Sequence, residues 1–453
     1  MKWVLPIVAL LIVRTALAEG ESTIYDADPH HLWNRLNETL FLRTAADGKG
    51  FGLDELDILY WHSTRHLLEG PSRQKAVDVL DEFISTHGER LVHDPVKRAW
   101  LQRDLWELFD WSASPYREAD HARASRELQS RLAVVIRRVA LTTKEIQSLP
   151  DNYERSATEH LPRGLLKTNG DWICVRDQND ARTAPSHVSS LGGRSAFTVH
   201  LRVPGGRSAD EDYLGSLRAF GRTNHLWVYH TNRFTWMSTN EPVDVLELNL
   251  AIPQFPTNTE WALVRRMELI DADGNLQPTR LVESIQLRHY IDFQRAPVRV
   301  VTNQNGTVAA VPVPRQDFYE FQFNRRDGGR LREIGKHERG FPFVHFQGKG
   351  IDLFEAEMMR SGRNADTGHD SSPVTSVILD TCMQCHSSRG IFSVNSYTRA
   401  LSASARGPAN FAEDVSSHDQ TEAIYWKQRQ YDWGLLQGLW TVGYGQGTTE
   451  APR

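Results

Sequence analysis

Cysteine is almost absent from this 453-residue chain: Cys174, Cys382 and Cys385 are the whole complement. Three thiols cannot staple a chain of this length, so its tertiary structure has to come from buried apolar surface and paired polar groups. The composition supports that. With 40% apolar and 24% charged residues, 31 glycines and 20 prolines, the chain is neither low-complexity nor disordered in composition, and its length suits about two to four domains. A formal charge of −5 offers no polybasic surface, so nucleic acid is not an expected partner.

The first eighteen residues are set apart from the fold. Lys2 supplies a positive start, residues 3–13 form an apolar run, and Ala16-Leu17-Ala18 is a small-x-small cleavage pattern, so residues 1–18 read as a signal peptide and the mature chain as starting at Glu19. Losing Lys2 and Arg14 with it takes the formal charge to −7. The alternative, an uncleaved anchor, is opposed by Arg14 and by the shortness of the run. No later stretch is apolar over a membrane's width, so the mature chain is expected to lack a transmembrane segment.

The remainder changes texture at Pro150. Residues 19–150 read as a helical domain: Leu53, Leu56 and Leu59, then Ala76, Val77, Leu80, Phe83 and Ile84, recur at helical spacing. Trp100, Trp106 and Trp111 are expected in its core or packed against a neighbour. Residues 151–352 read as a β-rich domain. Residues 197–203 alternate apolar and polar throughout and 285–291 do so for most of their length, each with one buried and one polar face, and turn signals at 204–206, 271–275 and 303–306 separate the runs. The pattern predicts an antiparallel sandwich or barrel of about eight strands. A calcium loop at 271–275 fails at its twelfth position, which is Val282, so a hairpin turn is expected there. Cys174 reads as a buried strand cysteine, and His200, His225, His230 and His289 as separate surface groups. No phosphate-cradling glycine loop, nucleophile elbow or His-Glu-x-x-His is present, so no catalytic residue is nominated and hydrolase or transferase chemistry has no warrant.

The last unit, 353–453, carries Cys382-Met383-Gln384-Cys385-His386. Covalent haem attachment needs two thiols spaced to meet two vinyl groups and a histidine beside the second thiol to reach the iron, and this pentapeptide has all three. In these residues the chain resembles the c-type cytochromes, over roughly residues 350–440. The resemblance implies one covalent haem c, with thioether bonds at Cys382 and Cys385, His386 as the proximal iron ligand, and a small all-α cytochrome c-like domain. Val374, Val377, Ile378 and Thr381 place the motif at the end of a short helix. A second amphipathic helix, at 421–440 with Ile424, Tyr425, Leu435, Leu436 and Leu439 apolar, is expected to pack on it.

The chain departs from the family at the sixth ligand, because no methionine follows His386. His418 after the motif and the Met358/Met359 pair before it are the candidates for the distal iron position, beside an open site. Two other uses of the thiols stay open: a zinc site of Cys174, Cys382, Cys385 and His386, and a redox dithiol. One motif means one haem, which separates the chain from di-haem peroxidases and multihaem wires. The sequence therefore reads as an α+β multidomain protein, helical then β-rich then haem-bearing, exported to a bacterial periplasm. The expected role is one-electron transfer with a redox partner protein. The alternatives are an open-site haem protein acting as a peroxidase-like enzyme or small-ligand sensor, or a β-domain binding module with an accessory haem domain.

Overall fold

The computed structural model describes residues 23–44, 50–58, 61, 66–113, 121–176, 195–224, 227–232, 243–291, 298–302, 308–312, 316–340, 376–386, 390–394, 413–415 and 431–441. The expected signal peptide at 1–18 lies outside them. Helices occupy the N-terminal third: α1 (Leu32–Phe41), α2 (Gly70–Ser85), α3 (Pro95–Ala113) and α4 (Ala122–Val139), followed by short α5 (Thr143–Gln147) and α6 (Asn152–Arg155). α2 and α4 bury one stripe each, Ala76, Val79, Leu80, Phe83 and Ile84 on one and Leu128, Leu132, Val135, Ile136 and Val139 on the other. α3 behaves differently. Every residue from Ala99 to Ser112 is buried, so it is the axis that the other helices and the sheet wrap, and a helix covered all round loses its amphipathic signature. The three expected core tryptophans are buried on it, Trp106 and Trp111 in the helical core and Trp100 edge-on to Phe323 of the sheet, 5.2 Å between ring centres.

A seven-stranded antiparallel sheet follows. Its strands are β1 (Ile173–Arg176), β2 (Ser195–Arg202), β3 (Thr259–Ile270), β4 (Leu276–Tyr290), β5 (Gln316–Asn324), β6 (Arg330–Glu333) and β7 (Glu413–Val415), in the order β6-β5-β4-β3-β2-β1-β7. The β3–β4 connection is the hairpin expected at 271–275. Asp271 Oδ1 accepts from the backbone N–H groups of Asp273 and Asn275 at 3.0 and 2.8 Å, and Gly274 takes φ +84°, the left-handed region that favours glycine.

The architecture corrects the sandwich or barrel expectation. The described strands form this one sheet and four two-stranded ladders, and helices supply the second layer that a sandwich would have supplied with strands. One of these, α7 (Arg207–Thr223), interrupts the β-rich stretch directly after Pro204-Gly205-Gly206 and buries Tyr213, Leu214 and Leu217. These pack on the sheet face carrying Val199, Leu201, Trp261 and Tyr290, while Tyr153, Leu165 and Trp172 cover the face carrying Ala262, Val264, Ile285, Leu287 and Phe321. β2 therefore has no polar face: Ser195 to Leu201 are all buried. His200, expected on the surface, is fully buried, because its alternation reports only which sheet face it points to and not what lies over that face.

The C-terminal segments join units already described. α8 (Ile378–His386) follows the ladder Ser376–Val377 with Arg339–Gly340. The last helix, α9 (Tyr431–Thr441), packs on α4 and α3, with Leu436 and Trp440 inside the helical core and Arg137 Nη1 donating to the Trp440 carbonyl at 2.9 Å. This differs from its expected packing on the motif helix: Leu436 and Trp440 are one helical turn apart and meet the apolar stripe of α4 instead. No helix among the described residues is long and apolar enough to cross a membrane.

Charged groups on buried α3 tie bundle to sheet. Arg103 pairs with Glu107 on its own helix and with Glu283 of β4, and Glu283 also bonds Ser195 and lies 3.0 Å from Arg265 of β3. Arg325 pairs with Asp104 at 2.7 Å and with Asp54 at 2.8 Å. Glu283 is placed by a β-bulge. Consecutive residues Arg265 and Arg266 of β3 face Ser284 and Val282, which leaves Glu283 as the extra residue. Burial pushes the Glu283 carboxyl up, but the Arg103 and Arg265 guanidinium groups outweigh it and hold the group below the usual range. Substituting Glu283→Ala leaves two guanidinium groups buried without this counter-charge. Urea unfolding is expected to show a loss of about 3–5 kcal/mol, and a loss under about 1 kcal/mol would mean the network is not the tie described.

Candidate functional site

The motif helix lies across β5, against the sheet face that α7 also covers. Its start is held where Ile378 N–H donates to the Glu338 carbonyl at 3.0 Å. Ile378, Thr381 and Cys382 form its buried side. Two β5 residues on one face of the strand grip it: Cys382 Sγ donates to Glu320 Oε2 at 3.6 Å, and Gln316 Nε2 donates to the His386 carbonyl at 2.5 Å.

Beyond the helix the chain returns beneath His386. Gly390–Ser393 forms a 3₁₀ turn, and Ile391 and Val394 enter the core shared with α7. Gly390 has φ +50°, in the left-handed region, and packs closely on the Gln254 amide, so the turn favours glycine. Gln254 Oε1 accepts from Ile391 N–H at 2.8 Å. This brings the Ser393 carbonyl to 2.9 Å from His386 Nδ1.

Donor counting assigns the imidazole. Arg288 Nη1, from β4, lies 2.7 Å from the Ser393 carbonyl, 3.2 Å from Tyr290 Oη and 3.1 Å from His386 Nδ1. Ser393 Oγ donates to the Gly390 carbonyl at 2.7 Å, so the 2.5 Å contact between Tyr290 Oη and Ser393 Oγ has the tyrosine as donor and leaves its lone pairs for Arg288. The Ser393 carbonyl can only accept, so in its 2.9 Å contact with His386 Nδ1 the ring nitrogen donates, which puts the proton on Nδ1 and the ring's lone pair on Nε2. A histidine that donates one ring nitrogen to a backbone carbonyl is oriented to offer the other to a metal.

A polar cleft of about 170 Å³ adjoins Cys382, lined among others by Asp57, Arg265, Glu283, Gln286, Glu320 and Arg332. It is smaller than the roughly 300–1,000 Å³ of sites that enclose a whole organic ligand, so it suits water or the edge of a larger group. Burial pushes the Glu320 carboxyl above the usual glutamate range, only partly offset by its bonds from Gln322 and Cys382. The neutral form is the one this pocket favours.

Of the residues nominated from sequence, Cys382 is buried and His386 half-buried at the positions described. Cys385 lies in the last turn of α8, its side chain outside the described residues. The distal candidates His418, Met358 and Met359 also lie outside them. Cys174 is not brought to the motif. Its register partner is His200, which places it on the opposite sheet face from Glu320 and four strands away, about 19 Å in the hydrogen-bonding direction. The proposed Cys3His zinc set is therefore not assembled, and among the described residues no group of three or more His, Cys, Asp or Glu side chains is placed to hold a metal ion. Sequence reading missed Arg288, Tyr290, Gln316, Glu320 and Ser393. Arg288 does fall on the polar side of the alternating run at 285–291, but nothing local connects it to position 386.

Comparison with family models, curated proteins and solved structures returned no match.

The Glu320 environment has a measurable consequence. A carboxyl whose folded value is raised stabilises the fold fully below the ordinary glutamate range, and that contribution is lost as pH rises through the raised value. Replacing Glu320→Gln is expected to flatten the fall in urea midpoint that the unsubstituted protein should show as pH rises above the ordinary glutamate range. An identical pH profile in both proteins would contradict a Glu320 carboxyl raised by its burial.

Proposed function

We propose that this chain is an exported single-haem c-type protein in which Cys382 and Cys385 carry the haem by thioether bonds and His386 is the proximal iron ligand. The observation that carries the reading is the Nδ1–H bond from His386 to the Ser393 carbonyl, which leaves Nε2 free of a proton and orients the ring. The residues present suit that group in other respects. Cys382 and His386 sit on one short helix whose end is held to a rigid strand through the bond from Gln316 to the His386 carbonyl, which limits reorganisation at the site. When bound, the haem supplies an iron that alternates between two oxidation states. The chain's own part is to hold the imidazole, to bury one side of the motif against β5, and to set the local charge. One-electron exchange with a partner protein in a bacterial periplasm fits the export signal, since the group is attached after translocation.

The test is protein produced with a c-haem maturation system. Covalent haem staining on a denaturing gel is expected for the unsubstituted chain and absent from Cys382→Ala/Cys385→Ala, with the α1–α4 unit still folded by far-ultraviolet circular dichroism. Retention of covalent haem in the double variant, or its absence from the parent, would overturn the attachment. A sharp reduced spectrum indifferent to carbon monoxide supports electron transfer through an iron with two strong ligands. A shift on adding the gas would overturn that role in favour of ligand binding.

A further inference from the structure

Arg288 has no part in attaching a cofactor, yet it occupies a strategic place. It projects from β4 onto the face where α8 lies, and its cross-strand neighbours are the uncharged Trp261 and Phe318. Among the described residues no carboxylate pairs with it. Its guanidinium reaches the proximal imidazole directly, with Nη1 3.1 Å from His386 Nδ1, and shares with that nitrogen the Ser393 carbonyl at 2.7 Å. Tyr290, donating to Ser393 Oγ at 2.5 Å, fixes both the serine and the arginine fork.

We infer that Arg288 is a positioning residue that raises the reduction potential of the iron held by His386. The inference rests on the haem reading above and goes beyond it by assigning a group that tunes the site. Two effects act in the same direction. A carbonyl already accepting from a cationic guanidinium is a poorer acceptor for the imidazole N–H, so the ring keeps its proton more firmly and donates less charge to the metal. The fixed positive charge also opposes the additional positive charge of the oxidised state, and in a half-buried setting it is screened less than in water. Both favour the reduced iron. An arginine serves here where a lysine would not, because its planar fork spans the serine carbonyl and the tyrosine oxygen together while its charge stays beside the ring.

Potentiometric titration of the haem-loaded full chain tests this. Arg288→Met is expected to lower the equilibrium constant for one-electron reduction by about tenfold, which is about 59 mV for such a couple. Arg288→Lys, keeping the charge without the fork, should fall between the two. Arg280→Met, on an exposed position of the same strand, should leave the potential unchanged. Proton NMR of the reduced protein supplies a separate readout: the His386 Nδ1–H resonance should move downfield in Arg288→Met as the carbonyl turns wholly to the imidazole. An unchanged potential in a haem-bearing, folded Arg288→Met protein would overturn the inference while leaving haem attachment intact. If Arg288→Met does not fold, an Arg288→Lys protein with the parent potential and an unmoved proton resonance overturns it equally. A parent chain that takes up no haem removes the reading on which the inference stands.

Discussion

The helical bundle and the sheet are tied together at the buried contact between Arg103 of α3 and Glu283 of β4. A helix buried from Ala99 to Ser112 cannot carry a guanidinium at its centre without a charged partner, and its desolvation would otherwise cost several kcal/mol. Glu283 serves because a bulge turns it toward the helix, where Arg265 and Ser195 complete its bonding. Gln102, one position before Arg103, pairs both its amide oxygen and its amide nitrogen with the backbone of Ile270 at the end of β3. Asn152 does the same for Val282 beside the bulge. Polar side chains thus define which residue of β4 faces which residue of β3, where apolar packing alone would tolerate several choices.

That register matters for the motif twenty ångströms or so along the strand, a distance of about six residues at the rise of a β-strand. Side chains alternate across a sheet, so a slip of one residue in β4 would turn Arg288 and Tyr290 away from α8. With the observed register, Arg288 and Tyr290 on β4 and Gln316 and Glu320 on β5 share a face, and the helix that carries Cys382 and His386 settles across them. The turn at Gly390–Ser393 then closes the arrangement from the other side and delivers the carbonyl that orients His386. The site is an agreement among three distant stretches of chain, with a rigid sheet as the reference surface.

Much of the α-helical part was legible because its apolar residues recur at 76, 79, 80, 83 and 84 and again at 128, 132, 135, 136 and 139, a period that no strand shares. The hairpin at 271–275 was legible for a similar reason: Asp and Gly at those offsets favour one turn. α7 was passed over although Tyr213, Leu214 and Leu217 have helical spacing, since the glycines before it read as one more hairpin. Strand counting then suggested a second sheet where the chain places helices. His200 shows the limit most plainly. Alternation correctly assigned it to the face opposite Val199 and Leu201, but Trp172 and its neighbours, which cover that face, come from a separate stretch of chain.

By itself the amino-acid order determined that a histidine follows two thiols at a spacing suited to one porphyrin, that helices precede strands, and that no disulfide lattice supports either. These are local properties, set by side-chain chemistry and by periods of a few residues. Only the tertiary structure decided which nitrogen of His386 bears the proton, that Glu320 is buried beside Cys382, that Cys174 lies across the sheet from the other two cysteines, and that Arg288 stands beside the imidazole. The reason is physical: Arg288 reaches His386 across 98 positions and Glu320 reaches Cys382 across 62, and such contacts follow from strand register and layer packing, which no short window of sequence encodes.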